Sequence, residues 1–374
     1  MSSKPRQSAW IVTAMVMVLA GTWMQLRVLI ASYWIGGHEW LQGDWLINLA
    51  AGPIRRGVFG QALLWISDHV ALSPLVIVVL TQFVLIVALS AAIIVLLRLQ
   101  GRGAMALTVF TPAIFVILGA IDPISGLRKE MFGLLALSIL ALPGGDRGRL
   151  VLSGALLGIG AIGHELHVLL FPAWCIAALL FTNLRHDRVA QAIAALVAIG
   201  CVIVSIYALS HIRVSETGPI CDALMARGLP QRHICDGAIA WLGDPENGST
   251  KVINALHRAS YAGLVPLAWL LCAAPLWRLW RTSETARGSG WYIILAVLPI
   301  FLLYPVGLDW GRWLGIQISS SAILMLGLGL RGAMPERTSI SAPEQAIWLA
   351  LALLWGPMHS PDLTFHGFLW HLAH

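Results

Sequence analysis

Charge is what this chain has least of. Only 11% of its 374 residues are Asp, Glu, Lys or Arg, against about 25% in an ordinary soluble domain. That shortage excludes a disordered, solvated chain and an ordinary water-soluble enzyme. Cysteine is sparse as well. Five residues cannot frame a small secreted disulfide scaffold. No internal repeat recurs at a fixed period. No basic stripe follows a nucleic-acid backbone, so no nucleic-acid partner is expected. No spacing of Cys, His or carboxylates demands a metal, so none is expected. No cofactor is required, although a divalent cation could assist the chemistry described below.

Apolar sequence fills the space that charge leaves. Hydrophobic residues make up 58% of the chain, and the mean hydropathy is +0.80. Runs of about 18 or more apolar residues recur from end to end, which makes the bilayer the solvent for most of the chain. The first run, 9–34, is too long for a signal-peptide core and no small-residue cleavage site follows it. The formal net charge of +6 fits basic residues anchoring cytoplasmic loops.

Topology follows from where the basic residues fall. Lys4 and Arg6 precede the first run, and basic marks recur at Arg98/Arg102, Arg147/Arg149, Arg185/Arg188, Arg278/Arg281/Arg287 and Arg331/Arg337. If each mark is cytoplasmic, an even number of crossings separates consecutive marks. Segments 104–120 and 124–143, 150–165 and 167–183, 189–210 and 257–277, and 289–306 and 313–330 satisfy this. With runs 9–34 and 73–97 and a last span near 344–358, the expectation is an all-α polytopic bundle of about 10–11 helices with a cytoplasmic N-terminus. The whole chain, 1–374, forms one integral membrane domain. Stretch 150–181 would be roughly 48 Å long as one helix, so it reads as a hairpin turning at Gly163–His167. An external loop at 211–257 carries Cys221 and Cys235, a candidate disulfide in an oxidising compartment.

The remaining charges share the outer face in this topology. They are Glu39, Asp44, Arg55 and Arg56; Asp122, Arg128, Lys129 and Glu130; His164, Glu165 and His167; and Asp309 and Arg312. Basic groups on that side run against the topogenic bias. Ionisable groups at membrane depth are costly and mark functional sites. Three of the settings read as helix starts: Pro53 in a first turn, Asp122 capping with Pro123 next, and Asp309 as a cap. Exposed amides at a helix start, joined by Arg, make a phosphate site. Each acid could equally neutralise a neighbouring base and hold helices in register. The string His164–His167 spaces its histidines at i,i+3, not the i,i+4 of zinc proteases. Trp34, Trp40 and Trp45 surround Asp44, and Trp310 and Trp313 surround Arg312. Aromatic faces beside polar groups suit sugar rings, and Trp45, Trp310 and Trp313 are the candidates. Belt packing is the alternative for this subset, and interfacial belts or helix packing are the default for the other tryptophans.

A pocket with several cations, a few acids and aromatics fits a substrate with a phosphate head and an apolar tail. In sugar transfer from a polyprenyl-(di)phosphate donor, Arg55, Arg56, Arg128, Lys129 and Arg312 would stabilise the leaving phosphate. Asp44 or Glu165, with Glu130 and His164 behind them, would take the acceptor proton.

The acid after the first helix, in Gly43-Asp44-Trp45, resembles the first external loop of C-type membrane glycosyltransferases. Segment 48–60 with Arg55-Arg56-Gly57, together with Arg128-Lys129-Glu130, His164-Glu165 and Asp309-Trp310-Gly311-Arg312-Trp313, resembles membrane proteins of bacterial O-antigen and exopolysaccharide clusters, which are read as repeat-unit polymerases. The resemblance implies arginines on a diphosphate and an acid or His on the acceptor. It also implies a polyprenyl-linked glycan substrate, a location in the bacterial cytoplasmic membrane with a periplasmic active face, and envelope-assembly proteins as partners. A transporter or flippase for a lipid-linked glycan, a membrane acyltransferase modifying envelope glycans, and a non-enzymatic assembly subunit are the alternatives.

Overall fold

A computed structural model describes residues 9–112, 126–244, 248–256, 260–282, 284–333, 340–357 and 367–373. Among these, regular structure is helical throughout. Four helices are long and apolar enough to cross a membrane: α1 (Ala9–Trp34), α3 (Pro74–Gln100), α7 (Arg188–Ser210) and α12 (Trp310–Leu330). The intervening helices are α2 (Gly57–Val70), α4 (Met131–Ala141), α5 (Asp146–Gly163) and α6 (Leu166–Phe181), then α8 (Gly218–Met225), α9 (Gly248–Leu256), α10 (Ser260–Arg281) and α11 (Glu284–Val297). Helices α13 (Ala342–Leu354) and α14 (Phe368–Ala373) follow α12. These apolar helices suggest a membrane protein. The expected run at 104–120 differs: a short 3-10 helix spans Gly103–Thr108, and residues 113–125 lie outside the described part.

The centre of the bundle is α12. Every residue from Trp310 to Gly329 is buried, and α3, α4, α10 and α11 pack around it. Two of its polar residues are bonded: Ser321 donates to the Gln317 carbonyl, and the Gln317 side chain accepts from Tyr304 and donates to the Val297 carbonyl. By contrast α7, with only Ala190 and Cys201 buried, presents apolar side chains outward. That is the burial pattern of a helix whose solvent is hydrocarbon.

The 150–181 stretch is two helices. Helix α5 ends where His164 turns extended, and α6 starts after Glu165. The two arms pack against each other and against α4. Pro172 sits inside α6, a position that removes one backbone hydrogen bond.

One end of this assembly is tied by arginines. Arg149 donates to the Leu140 and Phe181 carbonyls, and Arg331 donates to those of Ala141, Gly327 and Phe181. These carbonyls lie in last turns, where a helix lacks its own donors and a cation is favoured. Arg147 pairs with Asp187 at the start of α7, at 2.6 Å. Three of the sequence's basic residues thus share one end, opposite to the ends of α5 and α7 that face the site described next.

Among its described residues, segment 211–256 holds two short α-helices and two 3-10 turns, and a disulfide joins Cys221 to Cys235 within it. Arg227 forks onto Asp68 of α2 at 2.7 and 2.9 Å, which docks the segment against the preceding helices. In untreated protein, maleimide labelling should skip Cys221 and Cys235 and reach both after reduction. Replacing either by Ser should lower stability by about 3 kcal/mol, the chain-entropy value for a loop of this size, as read from the thermal unfolding midpoint in detergent.

Candidate functional site

The opposite end gathers residues distant in sequence. A 3-10 turn at Gly43–Leu46 carries Asp44. The Arg55-Arg56 pair precedes α2, Lys129 and Glu130 precede α4, and His164-Glu165 fills the break between α5 and α6. Arg312 lies in the first turn of α12. Close packing sets this convergence: the carbonyl of Ile47 lies where a side chain on Gly60 would begin, so α2 crosses directly over the Asp44 turn.

Arg56 is the hub. Its backbone is left-handed, φ 66°, a conformation that costs a non-glycine residue and persists only where surroundings enforce it. The enforcing contacts are visible. Its Nε donates to Glu165 Oε2 at 2.9 Å and its Nη2 to Glu165 Oε1 at 2.6 Å. Its Nη1 donates to Asp44 Oδ1 at 3.0 Å. Arg55 adds a further bond to Glu165 Oε1 at 3.1 Å. The fork geometry that suits phosphate is here held by a carboxylate.

Lys129 is the second tie, and it is 0% exposed. Its Nζ donates to the carbonyls of Asp44 and Gly163 at 2.7 and 2.9 Å and lies 3.3 Å from Asp44 Oδ2. It also sits 5.6 Å from the Phe59 ring centroid. Asp44 is 1% exposed. Burial alone would raise its pKa, but Lys129 and then Arg56 hold it well below the ordinary carboxylate range, so it stays ionised.

Glu130 and His164 form a different pair. Glu130 is 5% exposed, and among the described residues neither of its carboxylate oxygens has a hydrogen-bond partner. Arg312 Nε stands 3.5 Å away and His164 Nε2 4.0 Å away, just beyond hydrogen-bond reach. His164 Nδ1 accepts the Leu166 amide at 3.1 Å, which puts the proton on Nε2, facing Glu130. A hydroxyl bonded to both groups would complete the set. His167 sets their spacing. One ring nitrogen meets the His164 carbonyl at 3.0 Å and the other the Lys129 carbonyl at 3.1 Å, and Gly160 and Gly133 leave room for the ring.

Several expectations change. Helix α2 begins at Gly57, so Pro53 lies ahead of it and not in its first turn. Asp309 holds the cap position of α12 but makes no capping bond; its carboxylate takes Arg312 Nη2 at 2.7 Å instead. The Asp122-Pro123 cap lies outside the described residues. Trp45 is 0% exposed, donates to the Leu127 carbonyl and packs on Phe59 and Phe132. Trp310 and Trp313 are buried against Tyr304. All three are core side chains without a face to offer a sugar. Arg128 is buried, with Arg312 as a like-charged neighbour and Asp44 as an attractive one.

Sequence reasoning missed Gln82, which ties the cluster to α3. Its amide donates to the Leu41 and Leu127 carbonyls and its oxygen accepts from Gln42. A lone Gln inside the most apolar run was the available signal. Among the described residues no group of His, Cys, Asp and Glu could hold a metal ion. Comparison with known proteins finds no matching family model, no similar curated protein and no similar solved structure.

Proposed function

We propose that this chain is a polytopic membrane glycosyltransferase using a polyprenyl-phosphate- or diphosphate-linked sugar at the outer face of the bacterial cytoplasmic membrane, with polysaccharide polymerisation as its reaction. The observation that carries this reading is the convergence of Asp44, Arg55, Arg56, Lys129, Glu130, His164, Glu165 and Arg312 at one end of the bundle. The arginine-tied end, with Arg147, Arg149 and Arg331, then belongs in the cytoplasm by the positive-inside rule. The cluster faces outward.

Within that reading the residues divide their work. Lys129, Asp44 and Arg56 make a rigid frame. Glu165 and Arg55 are the exposed pair, at 26% and 28% of their side chains. Incoming phosphate takes the place of Glu165 on the two arginines. The acceptor hydroxyl sits between Glu130 and His164. Its proton passes to the Glu130 carboxylate as its oxygen bonds to the anomeric carbon. The bond from that carbon to the phosphate oxygen breaks, and the electron pair leaves with the lipid phosphate, whose charge the arginines and Arg312 meet. The base assignment thus shifts from Asp44 and Glu165, both hydrogen-bonded to arginine, to Glu130, which faces Arg312 but whose oxygens lack a hydrogen bond among the described residues.

Lipid extracts from a deletion strain should accumulate a polyprenyl-linked glycan by mass spectrometry. Arg55→Ala should reproduce that accumulation while the protein still reaches the membrane. Wild-type lipid profiles in both strains would sink the reading.

A further inference from the structure

Helices α5 and α7 run side by side, tied at one end by Arg147 and Asp187. An apolar groove of about 550 Å³ lies between them, lined by Gly154, Gly158, Ile162, Leu196, Gly200 and Val204 among others. That volume falls in the range of small-molecule sites. Its form is directional. At Gly154 the helices nearly touch, for a side chain there would begin 2.9 Å from Val197 Cγ2. At Gly158 and Gly200 nothing lies within 4 Å of where a side chain would start. The gap therefore opens toward the charged end.

The charged end closes over it. The Arg55 amide donates to the His211 carbonyl at 2.8 Å, just past the end of α7. Tyr207 of α7 donates to the Ile54 carbonyl at 3.3 Å. From the other wall, Ile162 leads within three residues to Glu165, which accepts from Arg55 at 3.1 Å. An apolar trough thus ends at the most exposed cation of the cluster. The outer wall of the trough is α7, whose side chains the rest of the chain scarcely covers, so a lipid-borne ligand reaches it sideways.

We infer that the α5–α7 groove seats the prenyl chain of a phosphorylated single-chain lipid whose phosphate lies at Arg55. This rests on the reading of the cluster as a phosphate site, and it adds a residue-level path for the tail. The single narrow gap and the single charged mouth select one chain over the paired tails of a phospholipid.

The test uses the purified full chain in nanodiscs with a diazirine analogue of farnesyl phosphate. The label should concentrate on peptides carrying Gly158 and Gly200. Gly158→Phe and Gly200→Phe should weaken farnesyl phosphate binding about tenfold by denying burial to the tail, while isopentenyl phosphate binds as before. A label spread evenly over α1 and α3 would overturn the inference, as would phosphatidic acid competing as well as unlabelled farnesyl phosphate. Equal loss of both phosphates in a variant with the wild-type unfolding midpoint would overturn it too. The wild-type label map decides the matter if the Phe variants do not fold. Labelling in the groove without sugar transfer from a farnesyl-phosphate-linked sugar sinks the transferase reading and upholds the groove. Transfer with the label elsewhere does the reverse.

Discussion

Glu130→Gln is expected, on the transferase function proposed above, to lower sugar transfer by about 10²- to 10⁴-fold, the usual contribution of a positioned acid or base, while farnesyl phosphate still binds. Gln preserves the shape of the side chain and removes its charge. In the native protein that charge is buried and, among the described residues, neither oxygen has a hydrogen bond; Arg312 stands 3.5 Å away and His164 4.0 Å away, with Arg128 a further attractive charge. A purely structural acid would be bonded, as Glu165 is, by the arginine fork. Single-turnover transfer and native mass spectrometry of the bound lipid separate the two roles. Unchanged turnover removes Glu130 from the chemistry. Parallel loss of binding and turnover makes it a structural member of the cluster.

Lys129→Met should destabilise the protein by about 3–5 kcal/mol, the cost of breaking a buried ion pair from one side. The side chain is 0% exposed, and three separate segments depend on its ammonium: the Asp44 turn, the end of α5, and its own segment before α4. Met fills similar volume but leaves the Asp44 and Gly163 carbonyls without a donor. It also leaves Asp44 with Arg56 as its one directly paired cation among the described residues. The thermal unfolding midpoint in detergent reads the effect. Adding Asp44→Asn to Lys129→Met should recover part of the loss, because it removes the charge left behind. A midpoint unchanged in Lys129→Met would show that the three segments are held by packing alone.

Long apolar runs made α1, α7 and α12 legible to within a few residues, since a nearly continuous apolar stretch of this length is a local signal that survives a few polar residues. The break at His164-Glu165 was legible too, because a single helix over that stretch would overrun the bilayer. The identity of the clustered charges could also be read, as each one violates the apolar background. Their partners could not. Whether Arg56 meets a phosphate or Glu165 depends on a left-handed backbone and on the crossing of α2 over Gly43–Leu46, and both are set by contacts between distant segments. The tryptophans show the same limit. Trp45 adjoins Asp44 in sequence, yet its ring turns into the Phe59–Phe132 cluster, and no local pattern reveals which way an aromatic points.

Helix α12 is walled in by protein along its length, and this has a consequence for biogenesis. It leaves the ribosome after α3, α4, α10 and α11, all of which surround it in the finished bundle. In the membrane placement proposed above, a serine-bearing segment enclosed by protein gains little from pausing in the acyl phase. The earlier helices must therefore keep a vacancy at the centre, or regroup as α12 arrives, so nascent chains ending before residue 310 should persist as open intermediates that digest readily with protease.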